Sequence, residues 1–222
     1  MLEEVKTKEK QLKDYQEIID PSLYQEITDL AKNLKGLKVL HLNATSFGGG
    51  VAEILNNLIP LINDIGLKAE WQVIAGDNQF FNLTKKIHDA FQNGEIFNLT
   101  NKEQEIYEKT NRENANNFEG NYDLIFVHDP QPMALPYFLK KTKAKFVWRS
   151  HIDTSRCQIN NWSYFEPFLN TFSAAVFTAK EYCPKNLPIE RTYFIPPAID
   201  PFSAKNMDLD SSVVSSTLLG LG

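Results

Sequence analysis

Apolar residues recur along this chain with two periods, and the alternation between them predicts the fold class. Over residues 21–34, Leu23, Ile27, Leu30, Ala31 and Leu34 fall at helical spacing, and Gly36 follows where a helix would end. Residues 37–43 are short, β-rich and mostly apolar, the signature of a buried parallel strand. A glycine-containing loop over 44–50 leads into a second helical pattern over 51–65, with a break expected at Pro60 and an end at Gly66. Residues 68–75, with Trp71, Val73 and Ile74, predict the next strand. Strand, helix and strand together make a right-handed βαβ unit.

The polar middle, 78–119, predicts two or three helical pieces with Phe80, Phe81, Ile87, Phe91, Phe97, Ile106 and Tyr107 facing inward. Further strands are predicted at 123–127, 145–148 and 174–177, separated by helices near 133–141 and 158–172. This alternation predicts an α/β fold with a Rossmann-like, doubly wound parallel sheet. Pro196-Pro197-Ala198-Ile199-Asp200-Pro201 then reads as rigid, extended punctuation. A last short helix is expected within 211–222, its apolar face without an obvious partner. The expected organisation is an N-terminal extension over 1–20, one domain over 21–195, and a linker over 196–222 that opens a further, truncated domain.

Composition narrows the function classes. With 23 basic and 28 acidic residues and a net charge of −5, the chain lacks the basic footprint of a nucleic-acid binder. No segment has the roughly 18 apolar residues of a membrane span, and the charged N-terminus does not resemble a secretory leader. Cys157 and Cys183 lack metal-ligand or redox spacing and read as reduced thiols. The N-x-S/T triplets at Asn43, Asn82, Asn98 and Asn161 are then coincidental, and a cytoplasmic location is expected.

Three motifs carry candidate chemistry. Gly48-Gly49-Gly50 lies between a predicted strand and a predicted helix, where backbone N–H groups and the helix dipole can receive an anion or a sugar hydroxyl; a tight turn alone is the alternative. Glu53 stands where a dinucleotide fingerprint needs its third glycine, and Val51-Ala52-Glu53 replaces the Gly-Lys-Ser/Thr of a phosphate-binding loop. His128-Asp129-Pro130-Gln131-Pro132 emerges at the carboxyl edge of the sheet, where ligands of such folds bind. There Asp129 and Gln131 suit sugar hydroxyls, against the alternative of a proline-stiffened Asx turn. Trp148-Arg149-Ser150-His151-Ile152-Asp153 brings a cation, an imidazole and a carboxylate to the same edge, with His151 expected to touch substrate and a helix cap as the alternative for Asp153. His41 and His88 are read as a strand residue and a solvated helix residue.

These motifs, with His41-Leu42-Asn43 running into Gly48 to Leu55, Phe80-Phe81 with Thr84 to His88, and Ile195 to Pro201, resemble glycosyltransferase family four. Within it they are most similar to the trehalose synthases, which join nucleotide-activated glucose to free glucose. The resemblance covers residues 14–208. It implies the N-terminal, acceptor-side domain of a GT-B enzyme, metal-independent and retaining. It also implies that Gly48, Gly49 and Gly50 lie beside the donor diphosphate and sugar, and that His151 contacts the donor sugar near the reacting centre. Asp129, Gln131, Arg149 and Asp153 would shape the glucose sites, with His151 and Arg149 as the catalytic pair.

The implied partners are nucleotide-glucose, glucose or trehalose, and a C-terminal donor-binding domain whose basic residues and paired glutamates are not found after Asp208. No metal or other cofactor is expected, and a homodimer is compatible with the reading. The chain alone is expected to be a half-enzyme with negligible transfer activity. Two alternatives remain open at this level: a non-catalytic sugar- or partner-binding module, and a nucleotide-dependent oxidoreductase with a degenerate fingerprint.

Overall fold

The computed structural model describes residues 2–139, 142–203 and 205–220. Its centre is a seven-stranded sheet: β1 (Glu3–Glu4), β2 (Lys38–Asn43), β3 (Lys68–Val73), β4 (Leu124–His128), β5 (Lys145–Arg149), β6 (Ala174–Phe177) and β7 (Thr192–Phe194). They lie in the order β1-β3-β2-β4-β5-β6-β7. Six strands run parallel, and β1 pairs antiparallel with β3 at the edge. The sheet is therefore mixed, which corrects the expectation of a wholly parallel one. Two residues are too few for a periodic signal, so β1 could not be read from the pattern; the three-residue edge strand β7, just before the punctuation at 196–201, was likewise not predicted.

Helices α1 (Pro21–Leu34), α2 (Gly50–Asp64), α3 (Asn78–Asn93), α4 (Asn101–Asn116), α5 (Leu135–Phe138), α6 (Ile159–Leu169) and α7 (Ser211–Gly220) alternate with the strands. Local chemistry sets several of their ends. Asp77 caps α3 by accepting from Phe80 N–H, and Gly94 closes it in the left-handed conformation. Thr100 and Glu103 form a reciprocal capping box on α4. The expected break at Pro60 does not occur, and α2 runs through it. Pro60 is itself among the buried residues of α2, and burial of the helix offsets the hydrogen bond that proline cannot make. The helix expected over 133–141 contracts to four residues, and residues 140–141 lie outside the described residues.

Period-two alternation divides the strands between two faces. Leu40, Leu42, Ile125, Val127 and Trp148 join Phe80, Ile87, Phe91, Tyr107, Phe165 and Phe168 in the larger core. On the opposite face Val39, Ala69, Trp71 and Val73 pack against Ala52, Leu55 and Ile59 of α2. His41 and His128 share that second face, at the carboxyl ends of their strands.

Both terminal segments are tied to this body. Val5 N–H donates to Trp71 O beyond β1, while buried Asp200 pairs with Lys10 and accepts from Tyr15 Oη at 3.0 Å. The stretches expected as an extension and a linker thus meet each other. On α7, Val213, Leu218 and Leu219 are exposed. No helix among the described residues is long and apolar enough to cross a membrane.

Candidate functional site

At the carboxyl edge of β2, β4 and β5 lies a cavity of about 540 Å³, within the range of small-ligand sites. Its floor is the loop from β2 into α2. Gly48 and Gly49 take φ of 68° and 79°, a conformation that side chains with a Cβ resist. A Cβ at Gly48, Gly49 or Gly50 would meet nothing within 4 Å, so the loop faces open space. Gly49 is the N-cap of α2 and supplies no side-chain acceptor, which leaves the first-turn N–H groups and the positive end of the helix dipole available.

The opposite wall is the segment after β4. Asp129 stands at φ 60°, the one positive φ at a non-glycine among the described residues, and several bonds hold it there. Its N–H donates to Arg149 O at 2.9 Å, its Oδ1 accepts from His151 N–H at 2.8 Å, and its carbonyl accepts from Trp148 Nε1 at 3.2 Å. From behind, buried Tyr107 donates to Pro130 O at 2.6 Å and Asn111 to Gln131 O at 3.2 Å. Helix α4 therefore braces the loop that presents Asp129 and Gln131 to the cavity. Burial raises the Asp129 carboxyl to about 6, against the opposing pull of the His151 N–H, His88 and Arg149.

His151 lines the same cavity, and burial lowers its imidazole to about 3, with Arg149 and His41 adding to the effect. Behind it the rings continue as a chain: His151 Nε2 lies 2.8 Å from His128 Nδ1, and His128 Nε2 lies 3.0 Å from His41 Nδ1. Among the described residues no group of three or more His, Cys, Asp or Glu is placed to hold a metal ion.

The chain that carries this arrangement is similar to known proteins over most of its length. A family model described as the N-terminal domain of trehalose synthase matches residues 41–184, from the first histidine of the chain to the far wall of the cavity. The chain belongs to this family. It is 41% identical over 210 residues to the trehalose synthase of Thermococcus litoralis, covering 94% of this chain and 51% of that protein. To the trehalose synthase of Rubrobacter xylanophilus it is 43% identical over 224 residues, covering 97% of this chain and 54% of that protein. The chain thus spans about half the length of these relatives. A more distant likeness, with a TM-score of 0.45 and 13% identity over 66% of this chain and 41% of the other, is to the trehalose 6-phosphate synthase of Burkholderia multivorans.

Within the trehalose synthase domain, the residues expected at the site separate into two groups. Gly48, Gly49, Gly50, Asp129, Gln131 and His151 all line the cavity. Arg149 and Asp153 are not among its lining residues. Arg149 is buried and its Nη2 donates to Ile195 O at 2.7 Å, so in this structure it fastens the segment after β7. Asp153 accepts from Ser155 N–H at 2.9 Å in a local turn; the N-cap of α6 is Gln158.

The other three histidines also take part beyond the roles expected of them, although His41 lies in a strand as expected. His88, expected to be solvated, is half-buried and lines the cavity, because the face of α3 that carries it turns toward the glycine loop. His41, expected only as a strand residue, is buried in the imidazole chain and stacks on Phe126 with ring centroids 4.8 Å apart. His128 joins them. The signal that could have found His41 is its position as a polar residue inside a strand otherwise apolar enough to be covered on both faces. Thr178, Tyr182 and Pro197 complete the far wall, and their loops carry no periodic pattern.

Proposed function

We propose that this cavity is the sugar site of the acceptor-side half of a retaining, GT-B glycosyltransferase of family four. The whole enzyme would move glucose from a cytoplasmic nucleotide-glucose to glucose and form trehalose. The observation that carries the reading is convergence: an uncapped helix N-terminus on a glycine loop faces Asp129, Gln131 and His151 across one cavity, in a chain of the trehalose synthase family. Carboxyl, amide and imidazole groups together supply the donors and acceptors that several sugar hydroxyls need.

In the proposed reaction a glucose hydroxyl attacks the anomeric carbon from the face the nucleoside diphosphate is leaving. The new C–O bond forms as the bond to the diphosphate breaks, and the hydroxyl proton passes to the departing phosphate oxygen. The groups of this chain hold the two sugars at reacting distance and exclude water. Backbone N–H groups of the glycine loop lie where they can receive a phosphate or sugar oxygen.

Among the described residues, the cavity lining includes no lysine or arginine. Stabilising a departing diphosphate calls for preorganised positive charge, and on this reading the donor-binding half supplies it. Titrating the ¹⁵N-labelled chain with glucose and with trehalose tests the site itself. Saturable amide shifts are expected at Gly48, Gly49, Gly50, Asp129 and His151. Shifts confined to the polar cleft between Ala75 and Asn117, or no saturable shift with either sugar, would overturn the assignment.

A further inference from the structure

His41, His128 and His151 belong to three neighbouring strands or their ends, and their rings are joined edge to edge by N···N contacts of 3.0 and 2.8 Å. Each contact holds one proton. All three imidazoles are neutral at physiological pH: burial lowers His41 to about 3 and is also the leading cause at His151. Burial, followed by His41, His151 and Arg149, lowers His128 well below the ordinary histidine range. A neutral imidazole has a single N–H. His128 must therefore donate to one neighbour and accept from the other, which leaves the chain two possible polarities.

In the inward polarity His151 Nε2–H donates to His128, and His128 Nε2–H donates to His41 Nδ1. The proton of His41 then sits on its Nε2, a buried atom with no hydrogen-bond partner among the described residues. In the outward polarity that same atom is a bare lone pair, His41 Nδ1–H donates to His128, and His128 Nδ1–H donates to His151 Nε2. Buried N–H groups without an acceptor are rarer in folded proteins than acceptors with an unused lone pair. The outward polarity is favoured.

We propose that His41 and His128 are positioning residues that hold His151 as its Nδ1–H tautomer, so that the imidazole meets a bound sugar oxygen as a hydrogen-bond donor. The tautomer follows from the chain of rings alone; that its partner is a sugar rests on the function proposed above. A 180° flip of the His128 ring would set Cδ2 and Cε1 where Nδ1 and Nε2 now stand and lose both N···N contacts, so the two contacts fix the ring. The His151 backbone is also fixed by its N–H bond to Asp129.

The test is a two-bond ¹H–¹⁵N correlation spectrum of the 222-residue chain at neutral pH, with ¹⁵N–¹⁵N couplings measured across the N–H···N bonds. Expected are Nδ1–H signals for His151 and His128, with couplings joining His128 Nδ1 to His151 Nε2 and His41 Nδ1 to His128 Nε2. An Nε2–H signal for His151, or missing couplings, overturns the proposal. In His128→Leu the His151 signal is expected to split between the two tautomers, and in His128→Asn, whose amide N–H can stand in for Nδ1–H, to return to one. A His151 that keeps a single Nδ1–H tautomer in His128→Leu would show that the relay does not set it. If the tautomer is as expected but neither glucose nor trehalose perturbs His151, the relay stands and the sugar reading fails.

Discussion

Replacing His151 with alanine in an enzyme completed by the second half of a trehalose synthase relative is expected to lower kcat by about 10²–10³-fold, the usual cost of removing one preorganised donor from a reacting centre. The imidazole lines the cavity while its Nε2 is engaged by His128, so it is oriented before any ligand arrives. Fixed orientation is what makes such a donor effective, because no reorganisation is needed at the moment of reaction. The fold should tolerate the change. His128 loses an acceptor, at a cost of about 1–2 kcal/mol in urea unfolding, and the far-UV spectrum should be unaltered. Turnover within a few-fold of the parent would remove His151 from the reaction.

A second substitution is expected to stabilise the protein while harming the site. Asp129 sits at positive φ with a carboxyl raised to about 6 by burial. In the unfolded chain the same group titrates near its ordinary value of 3.8. Between those two values the folded state holds more protons than the unfolded state, so stability falls as pH rises through that window. The penalty is complete above it. An asparagine in its place would carry no charge, tolerates the left-handed conformation, and can still accept the His151 N–H.

Asp129→Asn should therefore be near neutral at pH 4 and more stable than the parent by about 1–2 kcal/mol at pH 8, less than the full shift implies because the carboxyl opens on the cavity. Urea unfolding at the two pH values checks this. An equal loss of stability at both would contradict the assigned burial cost. On the proposed function, such a carboxyl facing the cavity suits a binding position.

Much of this organisation was legible in the chain because buried parallel strands leave strong local patterns. The strands β2, β4, β5 and β6 and the helices α1 and α2 follow from apolar periodicity and glycine ends, whereas 78–119 was legible only as two or three helical pieces, whose starts Asp77 and Thr100 set in the structure. Placing the motifs at strand ends then brought Gly48, Asp129, Gln131 and His151 to one edge. What could not be read depends on contacts between distant segments. Arg149 was expected to face ligand because it ends a strand beside His151, but Ile195 O, far along the chain, captures its guanidinium. Asp153 satisfies its neighbour Ser155 instead of the cavity.

The histidine chain illustrates the same limit. His41, His128 and His151 are far apart in sequence, and their joining requires both the parallel order β2-β4-β5 and the register that sets His41 opposite Phe126. Local pattern can flag His41 as an unusual buried polar residue, but only strand register shows that it meets His128. Gly48 differs because its backbone conformation is encoded in its own lack of a side chain.

On the proposed function, this domain holds sugar but cannot alone complete transfer. A paired assay of glucose transfer from nucleotide-glucose to glucose tests it most directly, with the chain by itself and then joined to the second half of the Thermococcus litoralis or Rubrobacter xylanophilus relative. Trehalose is expected from the joined enzyme, and none above background from the chain alone. Comparable trehalose from the chain alone, or none from a folded joined enzyme, would contradict it.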